Sequence, residues 1–151
     1  IANKENIDLY DCFDLYTDFE KMNDENKWYD EKNKEYIECY KQIKFWSTPK
    51  ILIIVLKRFI NDGSKITNLI DFPINNLNIN KYCIGYSKRN NIYDLVSISN
   101  HIGNLNSGHY YAYSKNIEDN NWYEFNDTNV KKISKDDIIT ENAYCLFYVK
   151  K

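Results

Sequence analysis

Two stretches of the chain carry side chains that could move a proton. Gly108-His109-Tyr110 opens an aromatic run, and Trp122-Tyr123-Glu124-Phe125 leads into the polar pair Asn126-Asp127. A histidine titrating near neutrality can take a proton from a thiol or hydroxyl and later return it to a leaving amine. It needs a partner on its far ring nitrogen to fix the tautomer and the direction of the ring, and an amide or a carboxylate can serve. Asn126 and Asp127 are both candidates. The runs 109–113 and 122–126, separated by the polar loop Ser114 to Asn121, predict an antiparallel hairpin. In it, His109 at the start of one strand faces Asn126 at the end of the other. Gly108 has no Cβ, which would let an extended peptide pass close to the backbone.

The elements that must position these residues follow from patterning. Leu9, Cys12, Phe13 and Tyr16 form the stripe of a short amphipathic helix with Asp8 as its cap. From Asp18 to Lys44 the chain is highly charged, with Trp28, Tyr29, Tyr36 and Ile37 as apolar anchors, and predicts extended, partly solvated strands. Ile51 to Leu56 is apolar and rich in β-branched residues, which predicts a central strand whose Lys57-Arg58 end is solvated. Asn61-Asp62-Gly63-Ser64 is a turn signal, after which Lys65 to Phe72 returns as a second strand ended by Pro73. Leu77 and Ile79 alternate with asparagines as in a half-exposed strand, and Tyr82 to Asn91, with Lys88-Arg89, is a loop. Tyr93 to Asn100 predicts a strand with Val96 and Ile98 on one face, delivering His101 to the loop Gly103–Ser107, a candidate flap. Val130 and Ile133 anchor a further strand, Ser134 to Ile139 is one capped helical turn, and Ala143 to Val149 closes as a buried strand. The sum is an α+β fold, mostly antiparallel sheet.

Composition narrows the class. A chain of 151 residues with 43% hydrophobic content can bury one core, and 16% aromatic residues make that core rich in rings. The formal charge of −2, with acids and bases interspersed, offers no basic face for nucleic acid or a membrane surface. Cys12, Cys39, Cys83 and Cys145 are isolated beside apolar residues, with no CxxC, which predicts free thiols in a reducing, intracellular compartment (cytoplasmic or nuclear). The first residue, Ile1, is not an initiator methionine, so the chain is expected to be cut from something larger.

The box from His109 to Asp127 resembles the histidine box of ubiquitin-specific proteases. Leu9-Tyr10-Asp11-Cys12-Phe13, Trp28-Tyr29, Trp46-Ser47-Thr48-Pro49, Leu52 to Phe59, Asp71-Phe72-Pro73 and Ala143 to Tyr148 look like that family's landmarks in its order. The resemblance implies the palm (46–151) and part of the fingers (18–45) of a papain-like cysteine protease, the C-terminal half of its catalytic domain. It implies hydrolysis of the bond after the C-terminal glycine of ubiquitin, with ubiquitin or ubiquitinated proteins as partners. It assigns His109 as general base and acid, Asn126 as the third triad member and Asp127 as its support. His101, Gly108 and Tyr110 would line the cleft beside the substrate tail. Many members bind zinc just after the Trp/Phe-Tyr element. Here those positions are Asp30 and Asn33, without the thiolates that structural zinc prefers, so no metal and no cofactor is expected.

Blander readings exist for each feature. His109 could be a core histidine, Asn126 the start of an Asx turn, and His101 and His109 a metal pair, although no carboxylate cluster accompanies them. A non-catalytic ubiquitin-binding scaffold of the same fold, or another papain-like protease, would keep parts of the pattern. A nucleophilic cysteine should open a helix in a glycine- and asparagine-containing segment, where backbone N–H groups and the dipole favour the thiolate. None of the four cysteines stands in such a segment. The resemblance implies that the nucleophile lies upstream of Ile1, in the N-terminal half of the same domain. Residues 1–151 alone should stay unlabelled by ubiquitin vinyl sulfone in intact-mass spectrometry. A ubiquitin adduct on any of the four cysteines would overturn that expectation.

Overall fold

The computed structural model describes residues 7–86 and 90–151. The first helix begins where the sequence supplies a cap for it. Asp8 Oδ1 accepts from the Asp11 N–H at 2.9 Å, and Asp11 Oδ2 accepts from the Asp8 N–H at 2.8 Å. This reciprocal capping box satisfies two N–H groups that the helix cannot. Strand β1 (Ile7–Asp8) runs into helix α1 (Leu9–Tyr16), which buries Leu9 and Phe13 and leaves Tyr16 exposed. There follow β2 (Phe19–Met22), β3 (Trp28–Asp30), β4 (Glu35–Ile37), β5 (Cys39–Gln42), β6 (Ile51–Val55), β7 (Ile70–Asp71) and β8 (Leu77–Asn78). The site-bearing half contains β9 (Ile92–Gly103), β10 (Gly108–Lys115), β11 (Trp122–Asn126), β12 (Asn129–Ile133) and β13 (Ala143–Lys150). The expected α+β class, dominated by antiparallel sheet, is what is found.

One seven-stranded sheet organises the molecule, in the order β12-β11-β10-β9-β13-β6 with β8 attached to β9. Its inner face packs Leu95, Ile98, Tyr113, Leu146 and Tyr148 against Leu9, Phe13, Phe72 and Leu77. Buried tyrosines keep their hydroxyls satisfied: Tyr93 donates to Pro49 O and Tyr148 to Pro73 O, each at 2.7 Å. Phe147 pairs with Ser97 and Tyr148 with Leu95, so Val96 is an extra residue in β9. This bulge shifts the buried positions from Tyr93 and Leu95 to Ile98 and Asn100, and Val96 is only half-buried.

Several expectations are corrected. The Ile51 to Leu56 run is not central: among the described residues β6 is an edge strand, bonded to β13 alone, with Ile51, Ile53 and Val55 54–56% exposed. An apolar run reports two apolar faces and says nothing of how many strands flank it. The segment from Lys65 to Phe72 is not a continuous strand. Lys65 makes an isolated bridge with Phe59 and Ile70–Asp71 pairs in parallel with Ile7–Asp8, while between them Arg58 Nη1 donates to the carbonyls of Ile66 and Asn68 at 3.0 and 2.9 Å. Those acceptors serve a guanidinium instead of a ladder. Arg58 is itself 2% exposed, not a solvated strand end, and its Nε donates to Ala143 O at 2.7 Å. Val130 is exposed, leaving Ile133 to hold β12 against the core.

Other elements fall where patterning puts them. The Asn61–Ser64 turn closes with Asp62 Oδ1 accepting from Ser64 N at 2.8 Å, and Gly63 takes φ +82°. Leu77 and Ile79 are buried with Asn78 exposed between them. Ser134 caps a 3₁₀ turn over Lys135–Asp137. Within the 82–91 loop, Tyr82 ends a 3₁₀ turn and Cys83 bridges Phe45, while Lys88 and Arg89 lie outside the described residues. The charged arm forms two ribbons, β2 with β5 and β3 with β4. Their rings pair across strands at 6.5 Å (Phe19 and Tyr40) and 5.1 Å (Tyr29 and Tyr36). Replacing the cap, Asp8→Ala, should cost about 1 kcal/mol. In the full-length protein this should lower the melting midpoint of this domain by about 2–4 °C in scanning calorimetry. Asp8→Asn should melt close to wild type, and an unchanged midpoint for Asp8→Ala would contradict the capping role.

Candidate active site

The site stands at one end of the three strands β9, β10 and β11. A tight turn joins β9 to β10: Asn104 Oδ1 accepts from the N–H groups of Asn106 and Ser107, each at 2.9 Å. Asn104 N–H donates to Ser107 O at 2.8 Å. Gly103 takes φ +118°, and a Cβ there would lie 2.4 Å from Ser107 O, so only glycine fits. This turn sets the register His109↔Ile102 and Tyr110↔His101.

On the other side of β10, the last ladder pair with β11 is Ala112↔Phe125. Asn126 therefore lies beyond it, and His109 reaches Asn126 diagonally instead of from directly opposite. Diagonal neighbours on one face are within reach of long side chains. The result is His109 Nε2 to Asn126 Oδ1 at 2.7 Å. A carbonyl oxygen can only accept, so Nε2 carries the proton and, in the neutral ring, Nδ1 keeps its lone pair. The imidazole is thus prepared to accept a proton at Nδ1, with its tautomer set from behind.

Asp127 occupies the two-residue turn between β11 and β12 at φ +53°, a conformation that Asp tolerates better than most side chains. Its Oδ2 is 3.9 Å from His109 Nε2, too far for a hydrogen bond, with the two side chains 78% and 47% exposed. Of the two candidate partners, Asn126 makes the hydrogen bond and Asp127 contributes a nearby charge.

His101, Gly108 and Tyr110 are brought together beside His109, but in layers. Tyr110 is exposed, while His101 is 3% exposed beneath it, ring centroids 4.6 Å apart. Burial, and then the Lys65 ammonium, push the His101 pKa below its ordinary value. Gly108 is open to solvent on one side. On the other, a Cβ would meet His101 Nε2 at 2.2 Å and Ile102 O at 2.7 Å. Close packing inside the sheet therefore demands a glycine here independently of any ligand. Sequence patterning did not single out Phe59, Lys65 or Tyr144 for this end of the sheet. The rings of Phe59 and Tyr144 lie 5.7 and 5.9 Å from His101, and Lys65 Nζ donates to His101 O at 2.5 Å. Nothing in a local pattern distinguishes these from ordinary core and surface positions.

Among the described residues no thiol hydrogen-bonds to His109. The Cys83 thiol donates to Ile79 O at 3.4 Å. Burial pushes the thiols of Cys12, Cys83 and Cys145 up, opposite to what a nucleophile needs. Asp30 and Asn33 do not fit a zinc ion: Asn33 Nδ2 donates to Asp30 Oδ2 at 2.7 Å, and Asp30 Oδ1 accepts from Lys32 N–H, closing the β3–β4 turn. An amide and one carboxylate lack the donor set of a structural site.

Comparison with known proteins identifies the family. A family model described as ubiquitin carboxyl-terminal hydrolase matches residues 4–148. The chain is 38% identical over 151 residues to ubiquitin carboxyl-terminal hydrolase 4 of Pongo abelii, covering 98% of this chain and 16% of that protein. It is 39% identical over 145 residues to ubiquitin carboxyl-terminal hydrolase 15 of Homo sapiens, covering 94% and 15%. Among solved structures, a yeast SAGA DUB module superposes with TM-score 0.80 at 32% identity, over 98% of this chain and 34% of that one. A SAGA DUB module bound to ubiquitin aldehyde gives TM-score 0.78 at 32% identity with the same coverage. The chain thus spans about a sixth of the length of the curated relatives and about a third of the structural neighbours' chains. With a family model matched along nearly its whole length, the chain belongs to the ubiquitin carboxyl-terminal hydrolase family.

Proposed function

We propose that this chain contributes the proton-transfer half of a cysteine-type deubiquitinase, with His109 as base and acid, Asn126 as its orienting partner and Asp127 as electrostatic support. The observation that carries the reading is the 2.7 Å contact between Nε2 and Oδ1, which leaves Nδ1 directed to chemistry. The nucleophilic cysteine comes from a segment outside residues 1–151. Its proton passes to His109 Nδ1, and the thiolate attacks the carbonyl carbon of the glycine that ends ubiquitin. The tetrahedral oxyanion collapses as the imidazolium returns the proton to the departing lysine amine. Water, deprotonated by the same nitrogen, then releases the acyl group and restores the thiol. Asn126 adds no charge behind the imidazolium, a deficit that the Asp127 carboxylate at 3.9 Å partly offsets. Gly108 and Tyr110, exposed beside His109, line the path of the ubiquitin tail. A relative of known structure was solved with ubiquitin aldehyde, which fits this substrate class.

Residues 46–151 form the palm in this reading and 18–45 a portion of the fingers. The outer sheet face supports a covering N-terminal half of the same domain. The row Val55, Cys145, Ser99, Ala112, Phe125 and Val130 crosses six strands without a buried member, and the row Ile53, Phe147, Ser97, Ser114 and Tyr123 crosses five. Ile53, Val55, Phe125 and Val130 leave apolar surface exposed on this face, which a packed neighbour would cover. A non-catalytic scaffold would have no use for a tautomer-fixing amide behind an exposed imidazole. The four free cysteines fit an intracellular setting, and no described helix is long and apolar enough to cross a membrane. In the full-length protein, hydrolysis of ubiquitin amidomethylcoumarin should fall by about 10²- to 10⁴-fold in His109→Ala. Asn126→Ala should fall less. Undiminished turnover in His109→Ala would rule out the proposed base.

A further inference from the structure

The two histidines stand one register position apart on the β9–β10 ladder, their side chains on opposite faces of the sheet, and the proposed reaction uses only one of them. The other, His101, is 3% exposed, and its Nδ1 is buried without a hydrogen-bond partner. Its ring lies in an aromatic nest of Phe59, Tyr110 and Tyr144 at centroid distances of 5.7, 4.6 and 5.9 Å. The backbone on either side of His109 rests on this one ring. Before His109, Gly108 sits so close that a Cβ would come within 2.2 Å of His101 Nε2. After His109, Tyr110 is the ladder partner of His101 and packs against its ring at an interplanar angle of 50°. The nest is anchored from below, because Lys65 Nζ donates to His101 O at 2.5 Å.

We infer that His101 is a positioning residue for His109: its flat ring, under Gly108 and against Tyr110, fixes the backbone on both sides of His109 so that the His109 ring meets Asn126. The inference rests on the proposed role of His109 and replaces contact with the substrate by support of the base. A displacement of about 1 Å in a reacting group can cost about 100-fold in rate. The shape of the ring matters here more than its nitrogens.

The test uses full-length protein and ubiquitin amidomethylcoumarin, with active sites counted by ubiquitin vinyl sulfone so that unfolded material is excluded. His101→Ala should lower kcat per active site by about 10- to 100-fold while KM stays within about threefold. His101→Phe, which keeps a flat ring, should retain most of the wild-type kcat. If His101→Ala yields no folded protein, His101→Leu replaces it, filling the volume without a flat ring. An unchanged kcat per site in the Ala or Leu variant, a change confined to KM, or a loss of kcat in folded His101→Phe would each overturn the inference. A wild-type protein without turnover would count against the proposed reaction itself. The Nε2 proton resonance of His109 then decides the role of His101 alone: its loss in the variant supports positioning, and its retention overturns it.

Discussion

The hydrogen bond from His109 Nε2 to Asn126 Oδ1 forms only while three strands hold one register. His109 leaves β10 just after the β9 turn, and Asn126 ends β11 just before the β12 turn, so the contact joins two strand ends across a diagonal. A slip of one residue in either ladder would send one of the two side chains to the opposite face. Burial on the inner face guards against that slip. Ile98, Tyr113 and Trp122 are all buried, and a shifted register would expose them at about 1.5–3 kcal/mol each. Core packing some residues away therefore holds the geometry of an exposed pair.

The same end of the sheet is braced by cations that patterning alone would place in water. Arg58 donates to the carbonyls of Ala143, Ile66 and Asn68, and Lys65 to that of His101. These bonds draw the irregular segment after β6 onto the start of β13 and the end of β9. A buried guanidinium is costly unless most of its N–H groups find acceptors, and irregular backbone supplies carbonyls that a ladder would have consumed. The missing second strand over 65–72 and the buried Arg58 are thus two sides of one arrangement.

The molecule is asymmetric in what it leaves open. The inner face of the sheet is covered by α1 and the segments around Phe72 and Leu77, whereas the outer face shows Ile51, Ile53 and Val55 at one edge and Phe125 and Val130 at the other. The two ribbons of the charged arm likewise keep Trp28, Tyr36 and Tyr40 exposed. Salt bridges there, such as Lys21 with Glu38 and Lys41 with Glu20, are half-exposed and contribute little to stability. Cross-strand ring pairs and ladder bonds hold these ribbons together.

Sequence by itself determined the α+β class, the capped first helix, the strands around the histidine box and the pairing of His109 with the Asn126-Asp127 step. These follow from local causes: an Asp spaced three residues from another, alternation with period two, and turn residues at strand ends. Only the tertiary structure decided which strand lies at the edge, where the β9 bulge reverses the buried face, that Arg58 is inside, and that Asn126 makes the bond while Asp127 stands at 3.9 Å. It also put His101 beneath Tyr110. Each of these depends on what packs against a residue from a distant part of the chain, and the spacing of neighbours along a sequence carries no record of that.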